Sequence, residues 1–202
     1  MINNNKIFCI GYPRTGTQSL TDAFKLMNFK SLHLDFDLVK EINKKGNNFN
    51  FTNYYNFDVF SDIPFPLIYK EINRRSPKAK FILSIRNHKN WIKSIEILFT
   101  CLKQFIKKNN HRYPWLKEFG IFHKKMYGSS EFEKNIFLKS YDEHNKKVMK
   151  YFENKKDKLL IINLEKDNNW QKICSFLDTK IPNMPFPYRN KKTDIYKTVG
   201  YN

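Results

Sequence analysis

The chain has few of the small and reactive residues on which many functional motifs depend. Its 202 residues include 6 glycines and 3 cysteines, and alanine occurs at positions 23 and 79 alone. Cys9, Cys101 and Cys174 are far apart, each among apolar neighbours. That excludes a disulfide framework and zinc-ligand spacing, and reads as reduced core thiols of a cytoplasmic protein. The histidines at 33, 88, 111, 123 and 144 are scattered, so no metal is expected. No stretch nears the roughly eighteen unbroken apolar residues of a membrane span. The opening Met1-Ile-Asn-Asn-Asn-Lys6 lacks the charged, apolar, small-residue order of a signal peptide.

Lysine and asparagine are what the chain has in excess. Lys plus Arg is 37 against 19 acidic residues, a formal charge of +18. One reading is a polyanionic partner: nucleic acid, an acidic glycan or a phosphate-rich ligand. The other is the coding bias of an AT-rich genome, which fits 31 Lys, 24 Asn and only 6 Arg. Under either reading a scarce Arg or Gly points to chemistry better than any Lys does. Hydrophobic residues at 41% and aromatics at 16% exclude a disordered tail, and the length suits a single domain with a real core.

Apolar runs and helical spacings alternate along the chain. Lys6–Ile10 reads as a buried strand, followed by a glycine-bounded loop and a helix over Thr17–Asn28. Residues 41–56 are polar and Asn-rich and read as loop. Phe57–Ser61 reads as a second strand, ending at Asp62 and a Pro64/Pro66 turn. A short helix over Leu67–Arg75 and a third strand at Lys80–Ile85 follow. Trp91, Ile95, Leu98, Phe99, Leu102 and Phe105 mark a long amphipathic helix. Residues 107–130 are basic, aromatic and broken by Pro114, Gly120 and Gly128, and read as an insertion or lid. Ser130 and Glu133 have capping-box spacing before a helix with Phe137, Tyr141, His144, Val148 and Phe152 on one face. A fourth strand at Leu159–Asn163 and a helix at Trp170–Leu177 complete the pattern. The class is α/β: three layers, with a parallel central sheet of about four to five strands flanked by helices.

The loop Gly11-Tyr-Pro-Arg-Thr-Gly16-Thr-Gln-Ser-Leu20 joins a buried strand to a helix. Its N–H groups and the helix N-terminus make an anion cradle. Gly11 and Gly16 have the spacing of the nucleotide-binding P-loop, but Thr17 stands where its Lys belongs and Gln18 where its magnesium-holding Ser/Thr belongs. The loop keeps phosphate geometry without the equipment for γ-phosphate transfer, and its charge comes from Arg14.

Pro13-Arg-Thr-Gly-Thr-Gln-Ser19 resembles the 5′-phosphosulfate loop of sulfotransferases that use 3′-phosphoadenosine 5′-phosphosulfate (PAPS), in the short branch with a Pro-Arg-Thr-Gly-Thr-x-Ser-Leu signature. Ile82-Leu-Ser-Ile-Arg86-Asn-His-Lys-Asn-Trp91-Ile-Lys-Ser94 resembles the family's 3′-phosphate segment, in which an Arg at a strand end and a Ser eight residues on grip that phosphate. A planar Arg fork and a hydroxyl near a helix start suit the task. Weaker similarities lie at Tyr141–Asn145, Trp170–Leu177 and Pro185-Phe-Pro-Tyr-Arg189-Asn190. The better-known cytosolic members have Lys at the position of Arg14 and an aromatic at that of Ser19, so adenine recognition does not carry over.

The resemblance implies a P-loop-like single domain over residues 1–202, with 107–130 inserted in it. It implies PAPS as cosubstrate and Arg14, Thr15, Gly16, Thr17, Gln18, Ser19, Arg86, Ser94 and Arg189 as its binding residues. Arg14 also stabilises charge on the leaving oxygen. The expected general base is Asp62, at the carboxyl end of a strand, with His33 second and Asp35 and Asp58 behind them; Asp62 as a plain turn residue stands beside that reading. His144 reads as a packing residue, and Phe105–Tyr127 as either an acceptor-site lid or a lysine-rich helix with core aromatics. The partners are the nucleotide and an acceptor hydroxyl or amine. A P-loop kinase and a basic nucleic-acid-binding module are the alternatives; the first lacks the Walker Lys, the second any recognisable nucleic-acid motif.

Overall fold

A computed structural model describes residues 6–109, 113 and 115–189. Five strands follow one another as β1 (Ile7–Cys9), β2 (Ser31–His33), β3 (Val59–Ser61), β4 (Lys80–Ser84) and β5 (Leu159–Ile162). They pair in parallel in the order β2-β3-β1-β4-β5. The helices are α1 (Thr17–Leu26), α2 (Phe36–Lys45), α3 (Phe65–Arg75), α4 (His88–Asn109), α5 (Trp115–Tyr127), α6 (Lys134–Tyr151) and α7 (Asn169–Leu177).

Strand register divides the core into two faces. Phe8 lies level with Phe60 on β3 and Phe81 on β4, and the three rings share one face. Phe8 stacks on Phe60 at 4.9 Å between centroids and lies 5.8 Å from Phe81. Helices α2 to α6 cover this face with Val39, Ile72, Trp91, Phe122 and Phe137 among others. On the other face Ile7, Cys9, Val59 and Ile82 meet Leu20 and Phe24 of α1 and Trp170 and Ile173 of α7. A parallel sheet covered on both sides needs apolar residues at every strand position, and β1 is fully buried along its length. Each large side chain so buried contributes about 1.5–3 kcal/mol. The three-layer α/β class follows.

Three local expectations need correction. The polar stretch does not begin as loop: α2 runs to Lys45, and short 3-10 turns occupy Gly46–Asn48 and Thr52–Tyr55. Leu38, Val39 and Ile42 give α2 a buried stripe, and the Asp35 carboxylate caps it by accepting from Leu38 N. The signals were local, but the surrounding Asn and Lys composition masked them. Strand β2 also went unread, so the strand at Val59–Ser61 is third in the chain; three residues are too few to show a period of two. Finally, α6 starts at Lys134 with Glu133 as N-cap and no side-chain cap bond, so the Ser130 capping box does not form.

Residues 110–112 and 114 lie outside the described set. Beyond them α5 packs Phe122, Met126 and Tyr127 into the main core. It is tied to α2 by Asn43, whose Nδ2 donates to Glu118 Oε2 at 2.7 Å, and by Phe36 against Phe119 at 4.5 Å.

Candidate active site

The sheet order sets the sequence of side chains along its carboxyl edge. The ends of β2, β3, β1, β4 and β5 deliver in turn His33, Asp62, the loop from Gly11 to Gly16, Arg86 and Glu165. The chain leaves β1 toward β2 and β3 and later crosses to β4. Such a switch point opens a crevice beside the central strand, where α/β sheets hold ligands.

Two glycines shape the loop. A Cβ at Gly11 would collide with the hydroxyl and carbonyl oxygens of Ser84, so β1 and β4 end this close only around a glycine. Gly16 has φ 100°, and a Cβ there would run into Leu164. Arg14 is also left-handed, at φ 70°, a conformation costing about 1–3 kcal/mol in a residue with a Cβ. The surrounding contacts enforce it. Thr15 Oγ1 donates to Tyr12 O at 2.7 Å and meets Ser84 Oγ at 2.7 Å. Trp91 Nε1 donates to Pro13 O at 3.0 Å. No side chain caps α1, so its first-turn N–H groups remain available to an anion.

Arg14, Ser94 and Arg86 form one linked set. Arg14 Nε donates to Ser94 Oγ at 2.9 Å, and Arg86 Nη1 donates to Arg14 O at 3.3 Å. The main chain of Arg86 is clamped by Tyr141, which accepts from Arg86 N at 2.8 Å and donates to Arg86 O at 3.0 Å. Tyr141 stacks on Trp91 at 4.2 Å. One rigid chain of contacts therefore runs from Pro13 through Trp91 and Tyr141 to Arg86, fixing the two arginines relative to each other.

A second set gathers at the ends of β2 and β3. Thr17 Oγ1 donates to Asp62 Oδ2 at 2.6 Å. His33 Nε2 lies 3.4 Å from the same carboxylate oxygen and 3.3 Å from Thr17 Oγ1. Asp62 sits at φ 69°, and its Oδ1 accepts from Ile63 N at 2.9 Å. The turn bond and the outward carboxylate coexist because one oxygen serves each.

The other sequence candidates have different engagements. Ser19 is buried and its hydroxyl accepts from Arg189 N at 2.9 Å; Arg189 Nε and Gln18 Nε2 both donate to Asp22. Asn190 lies outside the described residues. Asp35 is committed to the α2 cap, and Asp58 accepts from Lys30 N at the opposite end of β3. His144 packs on Tyr12 at 4.3 Å with Nε2 2.8 Å from Ile10 O, and burial pushes it down to about 4. A cleft of about 540 Å³ lies behind Tyr12 among Tyr69, Lys139, Ser140 and His144, but Arg14, Asp62 and Arg86 do not line it.

Sequence reasoning missed several neighbours of the site. His123 on α5 is buried against Phe99 at 4.9 Å. Burial pushes it down to about 4, with the nearby Asp62 carboxylate acting in the opposite direction. Glu165 accepts from Arg86, Asn87 and Asn90 together. Asn87 and Asn90 lie inside the segment that drew notice for Arg86, yet no spacing rule singles them out. Glu165 reaches them only because β5 pairs with β4.

A glycine-shaped loop after β1 leading to an uncapped helix start, an Arg at the end of β4 and an acid–histidine pair at the ends of β2 and β3 are equipment a group transferase on this fold can use. The model of the sulfotransferase domain family matches residues 6–195, and the chain belongs to that family. It is a transferase of the sulfotransferase kind. It is also similar to the "Ava biosynthesis cluster protein M" of Aspergillus versicolor, with 25% identity over 213 residues, covering 91% of this chain and 80% of that protein. Among the described residues no helix is long and apolar enough to cross a membrane.

Proposed function

We propose that this chain transfers the sulfuryl group of PAPS to a hydroxyl or amine acceptor by in-line displacement, in the cytoplasm. The observation that carries the reading is the Thr17–Asp62–His33 cluster, which ties a carboxylate to the first helical residue behind the phosphate loop. The residues fit a nucleoside bisphosphate. Gly11 and Gly16 let the loop pack against Ser84 and Leu164 where a Cβ would collide, the start of α1 has no side-chain cap, and Arg86 with its neighbours already holds an anionic group, the Glu165 carboxylate.

PAPS supplies the sulfur and a leaving oxygen on its 5′-phosphate. The chain supplies the rest. The uncapped start of α1 binds the 5′ end, and Arg86 and Ser94 bind the 3′-phosphate. Asp62 takes the acceptor's proton as its oxygen or nitrogen bonds to sulfur and the old S–O bond breaks, its electrons going to the 5′-phosphate. His33 orients Asp62 Oδ2. Arg14 stabilises the charge that builds on the leaving oxygen.

A thermal shift with adenosine 3′,5′-bisphosphate against ATP–magnesium tests the cosubstrate. At a hundred times Kd the bisphosphate is expected to add about 2.7 kcal/mol of apparent stability and ATP–magnesium far less. Stabilisation by ATP–magnesium alone would point to a kinase instead. Steep salt-dependent affinity for RNA or DNA, with none for the bisphosphate, would point to the nucleic-acid module.

A further inference from the structure

Glu165 is anomalous among the acidic residues of the site. It lies just past β5, on the nucleotide side of the carboxyl edge, where an anionic ligand would be repelled. Yet its carboxylate is saturated with donors. Arg86 Nε donates to Oε1 at 2.8 Å, and Arg86 Nη2 lies 2.8 Å from the same oxygen. Asn87 Nδ2 donates to Oε2 at 3.1 Å, and Asn90 Nδ2 lies 3.3 and 3.2 Å from the two oxygens. Glu165 N donates to Asn163 Oδ1 at 3.1 Å, which fixes the turn that presents the side chain.

The main chain of Arg86 and the side chain of Asn87 are held independently of Glu165. Tyr141 clamps the main chain of Arg86. Asn87 accepts from Asn90 N through Oδ1 at 2.9 Å, capping α4 and turning its Nδ2 outward. One cation and two amides thus converge on a carboxylate at the start of a 22-residue helix, whose dipole adds positive potential. A cluster of this kind suits a tetrahedral phosphate as well as a carboxylate, because it offers several convergent donors, one of them a guanidinium, beside a helix start that adds positive potential.

We infer that Glu165 is an internal stand-in for the ligand's 3′-phosphate, and that Asn87 and Asn90 complete the 3′-phosphate site with Arg86 once Glu165 is displaced. The inference rests on the nucleotide reading above and deepens it. In the free protein Glu165 keeps Arg86 extended and paired. A 3′-phosphorylated nucleotide must take over these donors, and the displaced carboxylate turns to solvent. The contact sets a threshold for the 3′-phosphate alone: the bisphosphate gives up affinity to displace Glu165, whereas a nucleotide without the 3′-phosphate leaves the pair in place and gives up none.

The experiment is isothermal titration of wild type, Glu165→Gln and Asn90→Ala with adenosine 3′,5′-bisphosphate and, separately, with AMP, at physiological salt. There the screening length of about 8 Å limits long-range effects on the 5′-phosphate. Glu165→Gln is expected to tighten the bisphosphate about tenfold, the scale of one charge-assisted hydrogen bond, and to change AMP less than twofold. Asn90→Ala is expected to weaken the bisphosphate severalfold and leave AMP unchanged. AMP binding reports that each variant is folded. Unchanged or weaker bisphosphate binding by Glu165→Gln, with wild type binding it well, overturns the stand-in and makes Glu165 a residue that merely orients Arg86. Equal tightening of both nucleotides overturns it too, as a general charge effect. If wild type fails to prefer the bisphosphate over AMP, the nucleotide reading falls first and this inference with it.

Discussion

Asp62 and Glu165 are both carboxylates set at strand ends along one edge, on opposite sides of the phosphate loop, and they are held in opposite ways. Asp62 accepts from the Thr17 hydroxyl and the Ile63 N–H, with the His33 ring 3.4 Å away. Glu165 takes a guanidinium and two side-chain amides. A carboxylate bonded to a hydroxyl, with an imidazole beside it, can exchange partners within one rearrangement and receive a proton. A carboxylate locked to an arginine is a counter-ion whose oxygens are occupied. Residue type does not distinguish acid–base chemistry from charge pairing here; the partners do.

The largest expected effect breaks this comparison on the Asp62 side. Asp62→Asn keeps the shape, and asparagine tolerates φ 69°. One amide oxygen can still accept from Thr17 or from Ile63 N. Only the basicity goes. We expect kcat to fall by about 10²–10⁴, the usual contribution of general acid–base catalysis, with bisphosphate affinity and melting temperature little changed. A parallel His33→Gln variant reports on orientation and should cost less. If Asp62→Asn turns over normally while His33→Gln is dead, the base is the imidazole and the carboxylate serves it.

How far the sequence leads also differs between the two sides. The loop was legible because Gly11 and Gly16 answer to local sterics, and the Arg86–Ser94 spacing because a strand end and a helix start are contiguous in the chain. Asp62 was legible as a strand end, but the partners that mark its role come from β2 and α1. Glu165 was not legible at all. Its meaning depends on β5 lying beside β4, and Ile85 N reaching Ile162 O at 2.9 Å is a contact across 77 residues of chain. Strand β2 and helix α2 were missed for a different reason: β2 is only half-buried, and three residues carry no readable alternation.

A smaller effect sharpens the comparison through pH. His123 beside Asp62 and His144 beneath the loop are both pushed down to about 4 by burial. In the unfolded chain they titrate near 6.5. Between those values the unfolded state binds protons that the folded state refuses, so stability is full above about pH 6.5 and falls as pH drops. The loss is complete below about pH 4, on the order of 3 kcal/mol for each ring. Urea midpoints at pH 7 and pH 4.5 measure it. His123→Phe should shrink the difference between the two midpoints. An unchanged difference would show that the acid sensitivity lies elsewhere than under the Asp62 side of the edge.

The smallest effect concerns Ser94, which lies between the two sides. The nucleotide site proposed above gives it to the 3′-phosphate, while its hydroxyl accepts from Arg14 Nε at 2.9 Å. A hydroxyl has one proton to donate and two lone pairs, so it can accept from Arg14 and still donate to a phosphate oxygen. In that arrangement Ser94 couples the arginine of the leaving oxygen to the bisphosphate. A double-mutant cycle on bisphosphate affinity with Arg14→Ala and Ser94→Ala should then show a coupling of about 0.5–1.5 kcal/mol, the net value of one such hydrogen bond. The matching cycle of Ser94→Ala with Glu165→Gln should be additive within about 0.5 kcal/mol, because no described contact joins those side chains. Coupling in the second cycle and none in the first would move Ser94 wholly to the Glu165 side, and leave Arg14 to be positioned by its own left-handed backbone and the contacts that enforce it.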